Sequence, residues 1–243
     1  MIRTEGLTKR FGEKTAVNSL DLEVGAGEFF CFLGPNGAGK TTTIKVLTGL
    51  LHPSEGRALL GGLDIQQKPV EAKQIIGYIP DSPFLYEKLT GREFMRFVAG
   101  LYQLTEAQIA ANMEPLLGMF GIAHVGDQLI EDYSHGMRQK LSFASCFLHE
   151  PKIVIVDEPW VGLDPKNIRF VKDFLRKKTR EEGLTVFMST HTLSIAEEVA
   201  DRIGIINNGK LLYTGTVPQV RAMAKTPGTL EDIFLELTQE TAE

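Results

Sequence analysis

Phe29-Phe30-Cys31-Phe32-Leu33-Gly34-Pro35-Asn36-Gly37-Ala38-Gly39-Lys40-Thr41 decides how the rest of the chain is read. The apolar run 29–33 predicts a strand buried on both faces, and residues 39–50 carry helical spacing that stops before Pro53. Between them, Gly34 to Thr41 fits Gly-x-x-x-x-Gly-Lys-Thr at every fixed position, in the strand-before, helix-after context that gives the motif its meaning. Glycines let backbone N–H groups close on phosphate oxygens, and the helix N-terminus adds a favourable dipole. Asn36, Gly37, Ala38, Gly39, Lys40, Thr41 and Thr42 are therefore candidate nucleotide contacts. Lys40 would reach the β- and γ-phosphates, and the Thr41 hydroxyl would ligate Mg²⁺. A chance glycine-rich turn is the alternative, but the bare pattern arises in on the order of one chain in a hundred of this length.

Downstream, Ile153-Val154-Ile155-Val156-Asp157-Glu158-Pro159 reads as a second buried strand ending in adjacent carboxylates. Ligands of open parallel sheets gather at the carboxyl ends of strands. Asp157 would hold Mg²⁺ through its water shell while Glu158 accepts a proton from the attacking water. A solvated acidic pair at a strand-to-loop junction is the rival reading.

Outward from these stretches the chain alternates. Strands are expected at 2–7, 16–24, 57–60 and 75–79. The middle turns helical: Thr90 with Glu93, and Thr105 with Gln108, form capping boxes ahead of apolar stripes, and Pro115 should kink or split the second helix. α/β alternation then resumes, with a helix at 165–181, a strand at 185–189 and a helix at 194–200. An Asn208-Gly209 hairpin joins 202–207 to 210–214. Thr229 and Asp232 cap a last helix. The expected organisation is one domain over 1–243, with a helical insertion at 89–149 and a short helical segment at 215–243.

With 243 residues, 43% hydrophobic and 23% charged, the chain can bury a sizeable core. A net charge of −5 gives no basic footprint, so nucleic acid is not an expected partner. Cys31 and Cys146 lie in apolar surroundings and read as buried thiols of a reducing compartment. His52, His124, His135, His149 and His191 lack metal-ligand spacing. There is no ~20-residue apolar run and no secretory signal, so a cytosolic chain is expected.

With those residues in place the chain resembles the ATP-binding subunit of ABC transporters over nearly its whole length. Tyr133-Ser134-His135-Gly136-Met137 sits where that family carries its signature, usually Leu-Ser-Gly-Gly-Gln. Val161-Gly162-Leu163-Asp164 resembles the loop after the carboxylates, His191 the switch histidine, and Phe11 the aromatic that stacks on adenine. The resemblance implies a P-loop α/β core with an N-terminal antiparallel β subdomain and an inserted α-helical subdomain. It implies ATP and Mg²⁺ as ligands, with Lys40, Glu158 and His191 catalytic and Phe11, Val17, Ser134, Gly136 and Asp164 on the nucleotide. It also implies a head-to-tail dimer, with a twin or a paralogous ATPase, peripheral on the inner membrane face through integral transporter subunits. Met137-Arg138-Gln139 resembles the bacterial drug- and peptide-export branch.

Several residues carry a second reading. By itself Ser134 is an N-cap, His191 a surface loop histidine and Phe11 a core residue. Asp81 stands where the family has a glutamine, and it either ligates the metal through a water or falls short of it. Trp160 marks either a partner contact or packing. A soluble ABC-type ATPase acting on a protein or ribosome assembly is the competing function, and a nucleotide sensor without turnover is a third. A GTPase is excluded, because no Asn-Lys-x-Asp occurs.

Overall fold

The computed structural model describes residues 1–160, 164–222, 231, 233 and 234. Most of the expected loop at 161–164 and of the expected helix near 229–237 therefore lies outside the described residues.

Two sheets lie against each other. β1 (Ile2–Phe11) pairs antiparallel with β2 (Lys14–Val24) on one side and β4 (Glu55–Leu60) on the other, and β5 (Leu63–Asp64) extends the edge. The second sheet takes β3 (Phe29–Leu33), β6 (Ile76–Ile79), β7 (Ile153–Asp157), β8 (Thr185–Thr190), β9 (Arg202–Asn207) and β10 (Lys210–Gly215) in the order β10-β9-β3-β8-β7-β6. Its strands are parallel except for the β9–β10 hairpin. β3 lies centrally, so its carboxyl end opens in mid-sheet beside those of β8 and β7.

Strand alternation divides the core in two. Phe30 and Phe32 point with Phe187 and Ile155 into a core shared with the antiparallel sheet and α1 (Lys40–Leu47). Phe29, Cys31 and Leu33 point the other way, with Val154, Val156 and Met188, toward the helices. Phe187 lies 5.7 Å from Phe30 and 5.3 Å from Phe32, centroid to centroid, tying β8 to β3. Such ring pairs add about 0.5–1.5 kcal/mol beyond area burial. Cys31 and Cys146 are buried free thiols.

Between β6 and β7 stand α3 (Gly91–Leu101), α4 (Glu106–Met119) and α5 (His135–Cys146). Both capping boxes form with reciprocal side-chain and backbone bonds. Of the kink or split expected at Pro115, the split does not occur, for α4 runs through it as one helix. A proline removes one backbone donor, and burial of Ile109, Met113, Leu116 and Leu117 along the same helix outweighs that single loss.

α6 (Pro165–Glu182) and α7 (Leu193–Val199) complete the alternation. Among the described residues, β5 and α2 (Pro69–Gln74) escape the sequence patterns, while α8 (Val217–Arg221) lies in the helical segment expected at 215–243. The first two are too short to show a period. α8 does carry a legible start, a Thr216–Gln219 capping box. Among the described residues, no helix is long and apolar enough to cross a membrane.

Candidate active site

The loop after β3 takes its shape from close packing. Gly39 has φ 112°, and a Cβ there would meet the Ala16 carbonyl oxygen at 2.5 Å. Only glycine supplies that turn, which aims the following amides and the start of α1 into one cleft. Lys40, 6% exposed, donates from Nζ to the carbonyl oxygens of Gly34 (2.7 Å) and Pro35 (3.2 Å), both in the loop itself. Burial lowers its pKa, and the negative charges of Glu158 and Asp157 work against that shift.

The ends of β7 and β8 face this loop. Asp157 is 1% exposed, and its Oδ1 accepts a hydrogen bond from the Ser189 hydroxyl. Burial raises the Asp157 pKa, while the Ser189 and Thr41 hydroxyls pull it down. Glu158 breaks from the strand with φ 44°, held by bonds from its N–H to the Ser189 carbonyl (3.3 Å) and hydroxyl (3.2 Å). Its Oε1 thereby lies 3.7 Å from Lys40 Nζ and its Oε2 2.9 Å from His191 Nδ1. Lys40, Glu158 and His191, distant in sequence, form one line of polar contacts.

A cleft of about 540 Å³ runs from Phe11 past Ala16, Asn36, Gly37, Gly39, Lys40, Thr41 and Thr42 to Asp81 and Glu158. Phe11 is 48% exposed at its mouth, with Lys9 Nζ 5.1 Å from the ring centroid, so it is no core residue. Ala38, within the loop, is buried and is not among the residues lining the cleft. Val17, expected on the nucleotide, is wholly buried, its Cγ2 lying 3.5 Å from a Cβ built on Gly39. It backs the loop instead: an irregularity at Ser19 (φ 46°) inserts one residue between Val17 and Leu20, so both face inward, and Ala16 lines the cleft in its stead. Asp81 reaches the cleft, with Oδ1 accepting the Ser82 N–H at 2.8 Å. Trp160 is 8% exposed, which decides for packing.

Ser134 and Gly136 are not among the residues lining this cleft. Ser134 is exposed and caps α5, accepting from the Met137 N–H at 3.3 Å. Asp164 likewise caps α6, accepting from the Asn167 N–H at 2.8 Å. The residue that sequence reading missed is Ser189, which holds both carboxylate-bearing positions. Its signal was a hydroxyl closing an otherwise apolar run (Val186-Phe187-Met188), directly opposite Asp157 in the β7–β8 register.

The donor set suits a hard cation. Asp157 Oδ2 is buried without a hydrogen-bond partner, and the hydroxyl of Thr41 is close enough to influence that carboxyl group. No three His, Cys, Asp or Glu side chains among the described residues could hold a metal themselves. An ion here would need phosphate and water oxygens to complete its shell, the habit of Mg²⁺.

The pattern of the ABC transporter family matches residues 17–161. The chain is 41% identical over 216 residues to the uncharacterized ABC transporter ATP-binding protein YhcH of Bacillus subtilis (strain 168), spanning 87% of this chain and 68% of that one. It is 38% identical over 212 residues to the bacitracin transport ATP-binding protein BcrA of Enterococcus faecalis, again spanning 87% and 68%. A solved structure of the ATP-binding subunit of an ABC transporter superposes with a TM-score of 0.91 at 32% identity, covering 98% of this chain and 99% of the other. The P-loop cleft, the carboxylate pair and these likenesses together carry one conclusion: the chain belongs to the ABC transporter family, as an ATP-binding subunit.

Proposed function

We propose that the chain hydrolyses ATP as half of a head-to-tail dimer, and that dimer closure drives separate membrane subunits carrying a drug- or peptide-like compound. The observation that carries this is the Glu158 carboxylate, poised between Lys40 and His191 at the end of the phosphate cleft. In that position Glu158 can accept a proton from a water attacking the γ-phosphate. Lys40 exchanges its loop carbonyls for phosphate oxygens, and His191 orients Glu158 and contacts the γ-phosphate. Asn36 to Thr42 grip the phosphates through backbone N–H groups, and Phe11 stacks on the base. Thr41 and Asp157, with Asp81 at the cleft edge, would hold Mg²⁺, which supplies neutralisation of phosphate charge.

The cleft is open on one side, and the exposed Ser134–Gly136 turn heads a positive helix end without a lysine of its own. Such a turn suits a γ-phosphate held by another subunit, so each ATP would lie between the P-loop of one protomer and the signature turn of its partner. Asp164, at the start of α6, would border the same interface.

Beside the cleft, an apolar hollow of about 620 Å³ lies between Leu50, Tyr78, Phe84, Val98 and Leu101. Phe84 is 84% exposed there, which suits docking of a membrane subunit and a position on the inner membrane face. The kinship with a bacitracin transport protein supports the cargo class. Affinity capture from detergent-solubilised membranes tests the partner. Recovery of a protein with several apolar ~20-residue segments is expected, whereas soluble proteins alone would favour an assembly-acting ATPase.

A further inference from the structure

One side chain fastens the turn before α5 to the stretch that follows Asp81. Arg138 lies four residues after the Ser134 cap, its N–H bonded to the Ser134 carbonyl at 3.0 Å. Its guanidinium donates in three directions: Nε to the Tyr133 carbonyl at 3.2 Å, Nη2 to the Glu131 carbonyl at 3.0 Å, and Nη1 to Glu87 Oε1 at 2.6 Å. Two of these acceptors are backbone groups of the chain delivering Ser134. The third belongs to the exposed stretch 83–88.

The same stretches are stitched by backbone, Glu131 N–H to the Glu87 carbonyl (3.1 Å) and Ile130 N–H to the Leu89 carbonyl (2.9 Å). Tyr86 stands edge-on to Phe97 at 5.2 Å, which seats the stretch on α3. A planar guanidinium holds acceptors on two segments at fixed angles, which a lysine ammonium cannot do. An exposed ion pair adds little to folding stability, so the consequence of this one lies in the orientation of what it joins.

We propose that Arg138 is a positioning residue. Held by Glu87, it sets the carbonyls of Glu131 and Tyr133 and so the pose of Ser134 and Gly136. A shift of the 83–88 stretch is then a shift of the turn that meets the partner's ATP. This rests on the reading of Ser134 and Gly136 as the second half of the nucleotide site.

ATP-driven association of a Glu158→Gln protein, followed by sedimentation across ATP concentrations, supplies the test. Arg138→Gln, Arg138→Lys and Glu87→Gln should each raise the ATP concentration for half-association about tenfold. ATP affinity of the dilute protomer and Tm should stay unchanged. The Arg138→Gln/Glu87→Gln double variant should be no worse than either single one, because the two act as a unit. Association unaltered by Glu87→Gln, a change at an exposed site, would overturn the proposal while leaving the two-subunit site intact, as would strictly additive effects. Absence of ATP-driven association in the parent Glu158→Gln protein would remove the two-subunit reading and the proposal together.

Discussion

Glu158 holds a backbone angle of φ 44°, a left-handed conformation that a non-glycine residue adopts at a cost of about 1–3 kcal/mol. The two bonds from its N–H to Ser189 stabilise it, and the bend lifts its carboxylate out of the strand toward Lys40 and His191. Removing the carboxylate charge while keeping the shape should spare ATP binding and cut turnover by ~10²–10⁴-fold in Glu158→Gln. Steady-state hydrolysis alongside ATP titration measures both, and an undiminished rate would take Glu158 out of the chemistry. Phe11 poses a binding question. Its half-exposed ring should contribute about 0.5–1.5 kcal/mol of stacking beyond area burial, so Phe11→Ala should weaken ATP several-fold with kcat little changed.

At the scale of elements, the β9–β10 turn does more than reverse the chain. Asn208 and Gly209 have φ 47° and 75°, the mirror-image turn that matches strand twist. Gly209 also donates its N–H to the Ala38 carbonyl at 2.9 Å and accepts from the Asn18 N–H at 2.8 Å, so the turn props the phosphate loop. A Cβ on Gly209 would approach the Ala16 carbonyl oxygen to 2.8 Å. Gly209→Val should therefore lower Tm and ATP affinity together, whereas a turn acting only on the hairpin would lower Tm alone.

A second element-scale device joins the inserted helices to the sheet edge. His149 stacks on Tyr102 with centroids 3.6 Å apart and donates from Nε2 to the Ile76 carbonyl at 2.9 Å. Burial pushes its pKa down to about 4, against the bond to Ile76, which raises it. The folded chain thus keeps His149 neutral where the unfolded chain, near 6.5, already takes up a proton. Its contribution is complete above pH 6.5 and is lost as pH falls toward 4, amounting to on the order of 3 kcal/mol at most. Denaturant titrations of His149→Asn across that window should show a shallower acid-side loss than the wild type.

For the whole molecule, the P-loop cleft and the Ser134–Gly136 turn lie apart on one protomer, and the proposed chemistry needs both. Specific activity should therefore fall as the protein is diluted at saturating ATP, since mass action dissolves the dimer. Hydrolysis strictly proportional to protein at high dilution would mean a protomer sufficient by itself. The divided core has a bearing here as well. The antiparallel sheet and the inserted helices pack on opposite faces of the central sheet, leaving its carboxyl edge open to the cleft.

The strand–loop–helix at 29–47, the capping boxes at Thr90 and Thr105 and the Asn208-Gly209 turn were legible in the sequence, because each rests on a few neighbouring residues whose local energetics outweigh context. At Pro115, where the sequence pointed to a kink or a split, the helix does not split, because a lost backbone bond is local while the burial that carries α4 through it is not. Val17 facing the core, Ser189 holding both carboxylate positions, and Glu158 meeting Lys40 and His191 were decided by tertiary structure alone. These are relations between strands, set by register and by which face the central sheet turns toward each core, and no stretch of neighbouring residues encodes them.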